Sequence, residues 1–204
     1  ELLALFRRIV AAGKHLSVMG HYNHPVELRQ DIARQAVERI RSTGAVLRMQ
    51  APVIRHINEN PADWAELWTE GVRLGAVPYY MFVERDTGPR HYFAMPLARA
   101  FEIFQAAYRS VSGLARTVRG PSMSTFYGKV LINGIETVAG EKVFVLQFLQ
   151  ARDPQWVLRT FHAQFDPHAS WFDDLRPAFG ERRFFFQDEP LAAPELIPVL
   201  LETA

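Results

Sequence analysis

The hydrophobic positions in the first half of the chain form three short runs that recur at intervals of about thirty residues. The runs cover residues 15–21, 45–51 and 77–83, and each has the length of a β-strand. The segments between them, 26–42 and 60–75, place apolar residues at the spacing of an amphipathic helix. This order of strand, helix and strand predicts parallel strands joined by right-handed crossovers, and therefore an α/β fold with a parallel sheet or a sector of a barrel.

The pattern of the second half predicts one more helix and then antiparallel strands. An apolar stripe from Leu97 to Val111 indicates the helix. Farther along, the apolar segments Lys129–Ile132 and Glu141–Gln150 flank a turn signal, Asn133-Gly134, and a further glycine, Gly140. These segments predict a β-hairpin or meander.

The two ends of the chain differ in character. The first ten residues have the spacing of an amphipathic helix and lack the basic-then-apolar order of a signal peptide. The tail from Ala151 is rich in aromatic residues, and we expect it to pack against the rest of the protein. No apolar run approaches the roughly 20 residues needed to cross a bilayer, so no membrane association is expected.

Composition narrows the class of protein. The 204 residues are 49% hydrophobic and 22% charged with a net charge of +1, which is ordinary for a globular domain and excludes collagen-like and disordered chains. Arginine far outnumbers lysine, but these cations are mixed with acidic residues, so nothing points to nucleic acid. Because the sequence has no cysteine, it can form neither a disulfide nor a thiolate-held zinc or iron–sulfur site of its own.

Two histidines follow the first predicted strand, where ligands bind in parallel α/β sheets. His21 and His24 have three interpretations: they close the strand and cap the next helix, they form a metal pair, or they contact a cofactor. A metal pair needs a third ligand, which one of four nearby residues could supply: His56, Glu84, Asp86 or His91. Because the spacing requires none of them, we assign no metal site.

Polar residues also follow the second and third strands. Gln50 ends the second strand and is either a structural amide or a ligand contact. Glu84, Arg85 and Asp86 follow the third strand and are either solvated charges or part of the same site.

Lys129 is the other candidate for chemistry. The segment 120–129 is superficially similar to a phosphate-binding loop, but its two glycines are too far apart, and Val130 occupies the place of the Mg-binding hydroxyl residue. Lys129 is therefore either a surface residue or a desolvated lysine able to form a Schiff base.

Taken in order, these residues resemble the carboxyl-terminal half of the lysine 2,3-aminomutase family of radical S-adenosylmethionine enzymes. The resemblance spans about residues 14 to 130 and runs through the following set: His21-Tyr22-Asn23-His24-Pro25, Glu27, Gln50, Asn58, Pro78-Tyr79-Tyr80, Gly88, His91, Ser112-Gly113, Pro121 and Gly128-Lys129.

The resemblance implies an α/β fold in two parts. Residues 1–115 would be half of an incomplete parallel (β/α) TIM-like barrel of the radical S-adenosylmethionine type. Residues 116–204 would be an extension with a β-hairpin, a possible pyridoxal phosphate lysine and an irregular, aromatic-rich end.

The resemblance also implies cofactors. In the family, a 4Fe-4S cluster on a Cys-x3-Cys-x2-Cys motif in the amino-terminal half cleaves S-adenosylmethionine, and the resulting radical abstracts hydrogen from an amino acid held on pyridoxal phosphate. By resemblance, His21 and Gln50 would contact S-adenosylmethionine, and Lys129 would be the Schiff-base lysine. The family chemistry belongs to the cofactors, and the protein positions the reactants.

Since this sequence has no cysteine and begins where the family is already halfway round its barrel, we expect it to be a fragment that is inactive without the missing amino-terminal half. The exposed half-barrel would favour association, including homo-oligomers. The oxygen-sensitive cluster and the absence of an export signal imply a cytoplasmic protein.

The expected substrate is an amino acid other than lysine. Lysine-specific members hold the substrate ammonium with two Asp residues, and the matching positions here fall around Glu84, Arg85 or Asp86 and at Arg119. Arginine would repel an ammonium and attract a carboxylate or a phosphate, which makes lysine a doubtful substrate and favours an acidic one. We therefore expect a pyridoxal phosphate-dependent 2,3-aminomutase; the alternatives are a radical enzyme without that cofactor, a cysteine-free binding module and an unrelated α/β domain.

Overall fold

The computed structural model describes residues 1–85 and 89–187 of the chain, apart from the side chains at positions 90 and 91. The α-helices are α1 (Leu2–Ala11), α2 (Pro25–Arg29), α3 (Asp31–Arg41), α4 (Pro61–Arg73), α5 (Arg90–Phe93) and α6 (Leu97–Ser110). The strands are β1 (Ser17–His21), β2 (Val46–Val53), β3 (Ala76–Val83), β4 (Arg119–Ser124), β5 (Gly128–Val138), β6 (Glu141–Ala151) and β7 (Thr160–Gln164). Two short 3₁₀ turns cover Pro154–Trp156 and Phe172–Asp174.

All seven strands belong to one mixed sheet, in which they lie side by side in chain order. Strands β1 to β4 are parallel, and β4 to β7 are antiparallel. The predicted α/β fold and its crossover units are therefore confirmed. Within the described residues β1 pairs along one side only, so the sheet is open and a barrel is not seen.

The helices cover one face of the parallel strands. In β2, Leu47, Met49, Ala51 and Val53 are buried, and they pack with α4 and α6 residues such as Trp64. The alternate residues of β2 are half-buried on the opposite face, as expected from the two-residue period of a strand. That opposite face is therefore available for a ligand.

The predicted helix at 26–42 is in fact two helices, α2 and α3. Gln30 between them has an extended backbone, with ψ of 131°. The break frees the carbonyl oxygen of Leu28, which accepts a hydrogen bond from Arg34 Nε at 2.9 Å in place of a helical amide. Leu28 and Val37 remain buried, but Ile32, one of the apolar residues at helical spacing in this segment, is 71% exposed and so does not belong to the buried face.

The predicted hairpin exists, and of its two turn signals the glycine at 140, not Asn133-Gly134, marks the turn. Asn133-Gly134 lies inside β5 at an irregularity in the pairing with β6. The chain reverses at Ala139-Gly140, where both residues have positive φ, as a two-residue type I′ turn requires. Asn133 contributes a side-chain hydrogen bond to Gln147 across the strands rather than a turn.

The aromatic tail packs against the hairpin, as predicted for its described residues. Phe148 of β6 lies at the centre of this second core and contacts the rings of Trp156, Phe161 and Phe186. The tail is more regular than expected, because 160–164 forms β7. The predicted boundary between residues 115 and 116 falls between α6 and β4 and stays a prediction. No helix among the described residues has the length and apolar character needed to span a membrane.

Candidate functional site

A cavity of about 380 Å³ lies at the carboxyl ends of the parallel strands. Its lining is largely apolar, with four polar side chains, and consists of His21, Pro52, Ile54, Phe82, Val83, Glu84, Arg85 and Ser124. Two sequence-predicted residues, His21 and Arg85, therefore line one cavity. A largely apolar pocket with a few convergent polar groups is typical of a small-molecule site.

The segment that follows the cavity residue His21 is fixed by hydrogen bonds. Glu27 Oε1 accepts bonds from the backbone N–H groups of Asn23 and His24, at 2.7 and 3.0 Å. His24 Nδ1 accepts a bond from Val26 N–H, so His24 caps α2. Of the three interpretations of the histidine pair, the structure thus gives His24 the capping role. No group of three or more His, Cys, Asp or Glu residues within the described ranges could hold a metal ion.

A second set of bonds centres on Asn58, which is buried. Its Oδ1 accepts from Ile54 N–H at 2.7 Å, while its Nδ2 donates to the carbonyl oxygens of Asn23 at 2.9 Å and Pro52 at 3.0 Å. Its own carbonyl oxygen accepts from Trp64 Nε1 at 2.8 Å. One side chain therefore joins the segments that follow β1 and β2, next to the cavity residues His21 and Ile54.

Glu84 brings an unsatisfied carboxylate oxygen to the cavity. Its Oε2 is buried and has no hydrogen bond within the described residues. Burial raises the pKa of the Glu84 carboxyl above its ordinary value. A buried carboxylate oxygen without a partner is costly, and a bound ammonium or hydroxyl would supply the missing bond.

Beside the cavity, cations pack on aromatic rings of β3. We call this set the cationic–aromatic cluster: Arg48, Arg119, Lys129, Tyr79, Tyr80 and Phe82. Lys129 Nζ lies 3.9 Å from the centroid of Tyr80 and 5.1 Å from that of Phe82. Arg119 Cζ lies 5.7 Å from the Tyr80 centroid, and its Nη1 donates to the Tyr80 hydroxyl at 3.3 Å. The structure thus brings Arg119 and Lys129 onto one ring.

Lys129 has the electrostatic character of a reactive amine. Partial burial lowers the pKa of its ammonium; of two smaller effects, Tyr79 raises this pKa and Arg119 lowers it. Lys129 is paired in register with Ser124, which lines the cavity. A lysine that loses its proton more easily than an exposed one is suited to attack a carbonyl carbon.

The position of Lys129 depends on the glycine before it. Gly128 has φ of +149°, and a Cβ there would collide with the Gln150 carbonyl oxygen and the Cα of Ala151. The Gly128 carbonyl oxygen accepts bonds from the N–H and hydroxyl of Thr125, at 2.8 and 2.9 Å. The backbone that presents Lys129 is therefore held from both sides.

The remaining predicted residues are placed as follows. Gln50 is paired in register with His21 on β1 and with Tyr80 on β3, which puts it between the cavity and the cluster. Asp86 lies outside the described residues. Sequence reasoning missed Arg48 of β2, although the polar alternation of Arg48 and Gln50 in an apolar strand was the available signal.

Comparison with known proteins gives the following relatives. A protein of Aquifex aeolicus (strain VF5) named "Putative L-lysine 2,3-aminomutase" is 35% identical over 182 residues, which are 89% of this chain and 47% of that protein. The L-lysine 2,3-aminomutase of Escherichia coli (strain K12) is 30% identical over 53% of this chain and 33% of its own length. The glutamate 2,3-aminomutase of Clostridioides difficile (strain 630) is 26% identical over 47% of this chain and 22% of its own length. The chain spans half the length of these relatives or less.

No family model matches the sequence. Among solved structures, a radical SAM methyltransferase from Sphaerobacter thermophilus superposes on part of this protein with a TM-score of 0.38 and 16% sequence identity. The superposition covers 57% of this chain and 37% of the methyltransferase chain. That likeness is too low to bear on the site.

Proposed function

This chain is related over most of its length to the lysine 2,3-aminomutase family, and from that premise we propose that it is part of a radical S-adenosylmethionine enzyme. In this proposal the whole protein is a pyridoxal phosphate-dependent 2,3-aminomutase, and its substrate is an acidic amino acid rather than lysine. The observation that carries the proposal is Lys129, half-buried on Tyr80 beside Arg119 and next to the cavity.

The residues around Lys129 fit pyridoxal phosphate. The amine has a lowered pKa, which favours the neutral form that reacts with an aldehyde, and arginine lies close enough to balance an anionic ligand. When bound, pyridoxal phosphate supplies an electron sink next to the amino group of an amino acid. The contribution of this chain is to hold the cofactor through Lys129 and to exclude water with the rings of Tyr80 and Phe82.

The cavity fits part of S-adenosylmethionine, which carries both an ammonium and hydroxyls. In the proposal, Glu84 Oε2 accepts a bond from one of these groups, while His21 and Gln50 contact the same molecule. The donor set does not fit an iron–sulfur cluster, because the sequence has no thiolate. The proposal therefore places the cluster ligands in a part of the protein outside these 204 residues.

The same reasoning makes β1 to β4 a sector of an incomplete barrel. The free edge of β1 would pair with a strand of the amino-terminal half. Exposed apolar side chains support this, because Met19 of β1 is 43% exposed and Leu2 and Leu5 of the preceding helix α1 are also exposed. The other half of the protein would cover these side chains.

Arginine determines the proposed substrate class. Arg85 in the cavity and Arg119 in the cluster stand where lysine-specific relatives are expected to have acidic residues, with Asp86 the remaining candidate near the first position. Two cations would repel the ammonium of lysine and attract a carboxylate. An acidic amino acid is therefore proposed, with the amino group moved between adjacent carbons.

The function is tested by expressing anaerobically the full-length protein encoded by the gene that contains this chain. We expect iron in the stoichiometry of a four-iron cluster, cleavage of S-adenosylmethionine, and a β-amino acid product from L-glutamate or L-aspartate but not from L-lysine. Iron content, deoxyadenosine release and mass spectrometry of the products are the measurements. A reading frame that encodes no three-cysteine motif and a protein that binds no iron would reject the enzyme and favour a binding module.

The pH dependence of Lys129 gives a second test. Since Arg119 lowers the pKa of Lys129, the Arg119→Gln variant should raise it. The amine then stays protonated to higher pH, so the midpoint for reaction with pyridoxal phosphate should move in the alkaline direction. Absorbance of the bound cofactor against pH measures this midpoint, and Arg39→Gln on the exposed side of α3 is the control. An unchanged or acidic midpoint would contradict the electrostatic role of Arg119.

A further inference from the structure

We infer that Arg48 is a specificity residue that forms, together with Arg119, the binding site for the side-chain carboxylate of the substrate. The inference rests on the proposed function, because it assigns the group that this site holds. It differs from the sequence-based expectation and from the assignment made with the proposed function, which paired Arg119 with Arg85 or Asp86, because it gives the carboxylate to Arg48 and Arg119 and leaves Arg85 in the cavity.

The contacts place both guanidinium groups on one ring. Arg48 Cζ lies 4.7 Å from the centroid of Tyr79, and Arg119 Cζ lies 5.1 Å from the same centroid. Arg48 is on β2 and Arg119 is on β4, so β3 between them carries the shared ring. Arg85, by contrast, lines the cavity with His21. The second guanidinium associated with Arg119 is therefore Arg48.

The electrostatics of the cluster indicate an anion. Arg48, Arg119 and Lys129 bring three positive charges to three adjacent rings, and no carboxylate within residues 1–85 and 89–187 forms an ion pair with any of them. Two arginines on the helices, Arg29 and Arg34, are by contrast paired with Glu66 and Glu70. Like charges gathered without counter-charges repel one another, and an anionic ligand removes this cost.

The chemistry of arginine narrows the anion to a planar group. A guanidinium stacked on an aromatic face keeps its N–H edge free, and that edge matches the two oxygens of a carboxylate. Arg119 uses one Nη1 hydrogen on the Tyr80 hydroxyl, and Arg48 has no such bond within the described part of the chain. Because Lys129 lies over Tyr80, a carboxylate held here would be next to the proposed cofactor amine.

Binding of glutarate to the chain, measured by titration calorimetry, tests the inference. Glutarate carries the carboxylate without the amino group, and glutaramide is its neutral control. We expect glutarate to bind and glutaramide not to bind. Arg48→Gln and Arg119→Gln should each weaken the binding of glutarate by at least about tenfold, which is the effect of losing one charge-assisted hydrogen bond. Arg48→Lys should bind with intermediate affinity, and Arg39→Gln should bind as the wild type. Circular dichroism confirms that each variant is folded.

Three outcomes would overturn the inference. The first is no binding of glutarate to the wild type, and the second is equal affinity in the wild type and Arg48→Gln. The third is tighter binding of inorganic phosphate than of glutarate, together with a larger loss of phosphate affinity in Arg48→Gln, which would assign the site to the phosphate of a cofactor.

The Lys129→Ala variant separates this inference from the proposed function, because it removes the cofactor amine and leaves both arginines. Glutarate binding dependent on Arg48 in a chain that never binds pyridoxal phosphate would reject the function and retain the carboxylate site.

Discussion

The Lys129→Ala variant should lose all covalent binding of pyridoxal phosphate, while the wild-type chain retains it after reduction with borohydride. The reason is chemical, because a methyl group cannot form the bond that the Lys129 amine forms with the aldehyde. Mass spectrometry of the digested protein gives both the added mass and the modified residue. We expect the modification at Lys129 alone.

The chain contains a well-matched control for this experiment. Among the described residues, Lys142 is the only other lysine whose ammonium lies over an aromatic ring, with Nζ 3.8 Å from the Phe165 centroid, but it is exposed. Lys142→Ala should therefore leave the modification unchanged. If Lys129→Ala is still modified, or if the wild type is not, the pyridoxal phosphate role is wrong, and a radical enzyme that uses Lys129 only as a charge becomes the better interpretation.

The Asn58→Ala variant should be less stable than the wild type by about 2–5 kcal/mol, since it leaves three partly buried backbone groups without partners, each at a cost of up to about 1–3 kcal/mol. The groups affected are Ile54 N–H and the carbonyl oxygens of Asn23 and Pro52. Urea unfolding followed by circular dichroism measures the change in the free energy of unfolding.

Two further variants sharpen this measurement. Asn58→Asp retains the acceptor for Ile54 N–H but places a carboxyl group against two carbonyl oxygens, so it should also be destabilised. Asn133→Ala removes an exposed amide that bonds to Gln147, and it should change stability by no more than about 0.5 kcal/mol. Equal stability of Asn58→Ala and Asn133→Ala would show that the Asn58 network does not hold the cavity together.

The parallel half of the fold could be predicted because its signals are local. Asn60 caps α4 through Ala62 N–H, and Pro61 begins the helix, as the sequence indicates. The break at Gln30 could not be predicted in the same way. The hydrophobic period continues through the break, and the hydrogen bond from Arg34 Nε to the Leu28 carbonyl oxygen that accompanies it is a side-chain contact that this period does not encode.

Strand β4 was missed because its signals come from tertiary structure. Its sequence, Arg119–Ser124, contains glycine, proline and two serines and has no strand-like apolar run. It is nevertheless buried between β3 and β5. The place of β4 in the sheet, next to β3, requires a small residue at 120, since a Cβ there would collide with the Met81 backbone of β3. Only the assembled sheet shows why a small residue is needed.

The candidate site was predicted in part for a related reason. The rule that ligands meet the carboxyl ends of parallel strands brought His21 and Arg85 into one cavity. The same rule does not predict the cationic–aromatic cluster, in which Arg48 and Arg119 both contact the ring of Tyr79. Such contacts depend on the register between β2 and β3, which shifts between Met49 and Gln50.

The reversal of strand direction at β4 has a consequence for cooperativity. One edge of β4 is bonded to the parallel strands over the first core, and the other is bonded to the hairpin over the second. His21 belongs to the first of these units and Lys129 to the second. Local opening of either unit breaks the hydrogen bonds between β4 and its neighbouring strand, and His21 and Lys129 are then no longer held at a fixed distance from each other. A molecule that contacts both residues would therefore stabilise the two units against local opening. Binding of such a molecule should slow the hydrogen exchange of backbone amides in both units.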